Sequence, residues 1–132
     1  MFTRLAWRSD HGSAPVEFSL VGVLVVTLVL GVLQLALAQH VRNTLLDAAS
    51  EGARWAALAD SSLSAGEQRT AALISMAIGD AYSADISSEY VRWNSRDAVA
   101  ITVAAPLPLI GLLGPATMLK VTGHATREPV TQ

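Results

Sequence analysis

The chain contains no cysteine. Disulfides, thiolate catalysis and thiolate metal sites are therefore excluded. A small domain outside the cytoplasm would have to hold itself by packing alone, which is weak at this size. A strong charge of either sign is also missing. Lys and Arg number 9 against 11 Asp and Glu, a net charge of −2, which makes no electrostatic case for nucleic acid. His11, His40 and His124 lie far apart, without an H-x-x-x-H or His/Asp cluster, so no metal site is expected. No G-x-S-x-G, phosphate-cradling glycine loop or dinucleotide-binding glycine set occurs. The residues thus assign no catalytic group, cofactor or metal, and they argue against an enzyme.

What the chain does have is an apolar run, Phe18 to Ala38, without a charged side chain. At about 1.5 Å rise per residue it is just long enough to cross a roughly 30 Å hydrocarbon core. A secretory signal is the obvious alternative, since Ala36-Leu37-Ala38 resembles a cut site. The run is longer than a signal's usual apolar region, so a retained helix is expected. Arg4 and Arg8 precede it with only Asp10 nearby, whereas Arg42 is soon matched by Asp47 and Glu51. The positive-inside rule then puts the N-terminus in the cytoplasm. The expected organisation is a cytoplasmic leader over 1–12, a transmembrane helix over 13–38 and an extracytoplasmic α+β domain over 39–132. Ser19, Gly22, Thr27 and Gln34 within the span are small or polar and could meet other helices.

Beyond the membrane, Ala48, Ala49, Gly52, Ala53, Ala56 and Ala57 recur at helical spacing. One long helix from about Val16 to Leu58 is expected. Ser64-Ala65-Gly66-Glu67 reads as a capping box for a second helix over Ala65 to Ala81, with Ala71, Ile74, Ile78 and Ala81 on one face. Ile86 to Trp93 reads as a strand, Asn94 to Asp97 as a turn, Ala98 to Ala104 as a half-buried strand, and Met118 to Thr126 as a last strand. The result is a small antiparallel sheet packed on helices. Trp55 and Trp93 are expected to pack in this domain, and Trp7 at the membrane interface. Leu107, Leu109, Ile110, Leu112 and Leu113 make the last connection apolar. Such a segment either contacts a partner or folds back over the core.

Glu17 alone would be an ordinary interface acid. Its neighbours change that reading. Gly12, then Glu17 on the fifth residue after it, then Phe18 and an apolar helix, resembles the type IV prepilin signature. Further on, Asn43 and the segment Asp47-Ala48-Ala49-Ser50-Glu51-Gly52-Ala53-Arg54-Trp55-Ala56-Ala57 resemble the "N-x-A…E-G-A-R-x-A-A" block of TadE-like proteins. These are minor pseudopilin-type components of the tight-adherence (Tad/Flp) pilus system. Val99 to Val103, Pro106 to Leu113 and Val121 to Glu128 are similar to that family's later pattern. Two departures stand out. A proline usual in the apolar segment is missing, and Gln34 replaces an acid common late in that helix.

The resemblance implies a pilin-like α+β fold and cleavage after Gly12 by a prepilin peptidase. The mature chain would begin at Ser13, and its new amine could answer Glu17 of a neighbour, with Phe18 opening the helix. Asn43, Glu51, Gly52, Ala53 and Arg54 would be the family-motif residues. The implied role is a structural or assembly component of Flp pilus biogenesis, held in the bacterial inner membrane. Its partners would be lipid, other pilin or pseudopilin subunits, assembly-platform proteins and the peptidase, with no nucleic acid. The alternative is a generic single-pass protein carrying an extracytoplasmic binding or sensing domain.

Overall fold

The structure is a computed structural model that describes residues 12–58, 60–107 and 118–129. The leader residues Arg4, Trp7, Arg8, Asp10 and His11, and the loop residues Leu109, Ile110, Leu112 and Leu113, lie outside the described residues. Two helices and a three-stranded antiparallel sheet make up the α+β fold. The chain divides into two units, Met1–Gln34 and Leu35–Gln132.

Helix α1 covers Ser13–Ala57 and contributes to both units. It starts earlier than the expected Val16, because Pro15 falls in the first turn, where a missing N–H costs nothing. In the first unit its large apolar side chains, from Val16 through Leu33, are exposed. The span is long and apolar enough to cross a membrane, and none of it is buried against the protein. The hydroxyls of Ser19 and Thr27 donate to the carbonyls of Pro15 and Val23, at 2.8 and 2.7 Å. Each polar side chain is thus satisfied by its own helix, one turn back.

In the second unit, α1 buries Val41, Leu45, Ala48, Ala49, Gly52, Ala53, Ala56 and Ala57 on one face. This is the expected alanine strip, extended towards the N-terminus by two larger side chains. Helix α2 covers Leu63–Ile78. Its N-cap is Ser62, whose hydroxyl accepts from the Ala65 N–H at 3.2 Å, and not Ser64. Two tertiary contacts move the helix start. Leu63 packs on the core, and Glu67 accepts a hydrogen bond from the Ser88 hydroxyl instead of reaching back to cap the helix. The helix ends at Gly79, whose φ of 105° only glycine adopts freely, so Ala81 sits in a following 3-10 turn. Its buried positions are Gly66, Thr70 and Ile74, with Leu63, Leu73 and Ile78 partly covered.

Strands β1 (Asp85–Trp93), β2 (Arg96–Pro106) and β3 (Met118–Thr126) pair in the order β1-β2-β3. Arg96 and Asp97, expected in a turn, are the first residues of β2. The turn is only Asn94-Ser95, both at positive φ (50° and 64°), the two-residue geometry whose twist suits a hairpin. Val99, Ile101, Val103 and Ala105 of the central strand are buried with the helices. Ala98 and Ala100 are buried as well, so this strand is not half-buried as its alternation suggests. By register, Trp93 and His124 share the face of Ala98 and Ala100. Their rings stack at 4.1 Å across the central strand, on the face where those alanines are buried.

Candidate functional site

Gly12 immediately precedes α1, and Ser13 is the first helical residue. Gly12, Ser13, Glu17 and Phe18 are all exposed, with Phe18 at 79%. The Gly12–Ser13 peptide bond thus lies at the start of the helix, ahead of an exposed apolar run. Glu17 is exposed in the chain, and it borders a segment long and apolar enough to cross a membrane. A carboxylate in that position is costly to bury unless a cation meets it.

The second set of candidate residues lies in the C-terminal half of α1. Gly52 and Ala53 are buried, whereas Asn43 and Arg54 are exposed and Glu51 is partly covered. Gly52 sits where α1 crosses α2. A Cβ there would lie 2.7 Å from the carbonyl oxygen of Gly66 and would collide with the Thr70 hydroxyl. Gly66 is equally constrained, with Ala56 Cβ at 2.6 Å and the Gly52 carbonyl oxygen at 2.7 Å. The glycine of the E-G-A-R block therefore permits close helix packing. Its polar members do something else. Asp47, Glu51 and Arg54 line a groove between α1 and α2, floored by Ala48, Leu73 and Ala77.

Leu107, at the start of the apolar connection, is half-buried. The remaining residues named for that contact are outside the described residues. Trp55 and Trp93 keep 46% of their surface, so neither is a core side chain. Arg69 lies 5.7 Å from the Trp55 ring centre, and Arg127 lies 4.7 Å from that of Tyr90. Local sequence patterns gave no tertiary contact to Gly66, Tyr90, Arg127 or Gly123. Each matters through a contact between distant segments. Gly123 shows this clearly, because a Cβ there would stand 2.6 Å from the Ala49 carbonyl carbon on α1.

Among the described residues, no group of three or more His, Asp or Glu side chains is placed to hold a metal ion. No curated protein and no solved structure shows significant similarity to the chain. A family model does match it over residues 12–54, and that model is described as TadE-like protein. The match opens on Gly12 and closes on Arg54, so it takes in both the Gly12–Phe18 segment and the E-G-A-R block. The three strands lie outside it.

Proposed function

From the premise that the chain is TadE-like over residues 12–54, we propose that it is a membrane-anchored, pseudopilin-type component of a tight-adherence (Tad/Flp) pilus system. The supporting observation is the coincidence at the start of α1. Gly12 ends where the helix begins, Glu17 follows in the next turn, and an apolar span with no protein cover comes directly after. In this reading a prepilin peptidase cuts between Gly12 and Ser13. The N-terminus faces the cytoplasm, α1 holds the chain in the inner membrane, and the second unit meets other pilin subunits or assembly-platform proteins outside.

The mechanism is non-covalent. The amine freed at Ser13 answers the Glu17 carboxylate of a neighbouring helix. An ion pair within an apolar bundle fixes register more than it adds stability. The decisive experiment is mass measurement of the chain expressed with and without a prepilin peptidase. A mature N-terminus at Ser13 is expected, and an unchanged mass refutes processing. Glu17→Gln should insert normally but fail to assemble, and normal assembly of that variant would instead favour a generic anchor.

A further inference from the structure

We propose that the groove between α1 and α2 receives the exposed Tyr90–Arg127 pair of a second copy of this chain. The inference rests on the membrane-anchored reading above, because anchoring makes neighbouring copies parallel.

Three observations carry it. The groove is lined by apolar Ala48, Leu73 and Ala77, and its charged side chains are the acids Asp47 and Glu51 and the base Arg54, which leaves an excess of negative charge. Asn43, Asp47, Glu51 and Arg54 follow each other at four- and three-residue spacing, so they share one side of α1. The core does not use them. Two parallel copies meeting level along that side would set Asp47 on Asp47 and Glu51 on Glu51. Like charges in contact are strongly unfavourable, so a symmetric pair is rejected and an unlike surface is required.

The same chain supplies one. Tyr90 is 53% exposed and carries the Arg127 guanidinium on its ring. Arg92 lies beside it, Asp97 lines the same surface, and Glu128 adjoins Arg127. An aromatic side chain with arginines is the typical anchor of a protein interface. It brings an apolar ring for the floor and cations for Asp47 and Glu51. The groove and the Tyr90–Arg127 surface are different, so the contact is heterologous. Each copy that fills one groove leaves its own open, and such contacts propagate unless the rotation closes a ring.

The test places a photo-cross-linking phenylalanine analogue at Tyr90 of the full-length chain and irradiates membranes containing a second, differently tagged copy. Cross-links between copies should map to residues 44–54 and 73–77. Asp47→Arg with Glu51→Arg should cut the yield about tenfold. Arg92→Glu with Arg127→Glu on the probe-bearing copy should restore it. If the chain stays in the membrane pellet but cross-links elsewhere, or not between copies, this contact is wrong while anchoring stands. If the chain is absent from the pellet, the anchored reading falls and the contact falls with it.

Discussion

Gly52 and Gly66 face each other across the two helices, each with the other's carbonyl oxygen 2.7 Å from where a Cβ would stand. Both obstacles are backbone, so neither can swing aside. The crossing can accept a methyl group only by moving whole helices apart.

Gly52→Ala and Gly66→Ala should therefore each destabilise the protein, by about 1–3 kcal/mol, the usual cost of overpacking a well-packed site. Helix propensity alone predicts the opposite sign, since alanine is the better helix former by about 1 kcal/mol. Thermal melts of the full-length chain in detergent decide between the two. Thr70 sharpens the test, because its buried hydroxyl donates to the Gly66 carbonyl at 2.8 Å and stands in the path of a Gly52 side chain. Adding Thr70→Ala to Gly52→Ala should cost less than the sum of the two changes, as expected for residues in contact.

Ser95→Gly should stabilise. Ser95 holds a φ of 64° in the β1–β2 turn, where a side chain crowds the backbone. Glycine removes the crowding and completes the Asn-Gly pair that two-residue hairpins favour. A gain of about 0.5–1 kcal/mol is expected after the entropy glycine adds to the unfolded chain. A lower melting temperature for this variant would contradict the turn geometry.

These positions also show what was legible in the residues. Helix α1 could be read because an uninterrupted apolar run passes into an alanine strip with helical spacing, and both signals are local. The start of α2 could not be placed to the residue. Ser62 and Ser64 are equally good caps by type, and the choice falls to Leu63 packing and the Ser88–Glu67 bond. Arg96 and Asp97 look like turn residues by polarity, yet Asn94 and Ser95 complete the reversal alone. The E-G-A-R block was visible as a motif. Its division into packing members (Gly52, Ala53) and surface members (Glu51, Arg54) depends on where α2 crosses, which no local pattern records.

The Trp93–His124 stack is expected to act as a small lid. Its rings meet at 4.1 Å with an interplanar angle of 20°, on the sheet face that carries the buried Ala98 and Ala100. A double-mutant cycle with Trp93→Ala and His124→Ala should give a coupling of about 0.5–1.5 kcal/mol, the range of paired rings. Additive costs would mean that the rings merely lie near each other.

Ser19 and Thr27 offer a test inside the apolar span. Polar side chains in lipid either bond to a neighbouring helix or satisfy themselves. Both hydroxyls here take the second course, donating to Pro15 and Val23. Ser19→Ala and Thr27→Val should therefore leave carbonate-resistant membrane association and cross-linking between copies unchanged. Glu17→Gln, on the same helix, should keep the association and lose assembly. If Thr27→Val abolishes assembly while Glu17→Gln does not, the register of the bundle is set by a hydroxyl bond between helices, and the carboxylate is only an interface acid.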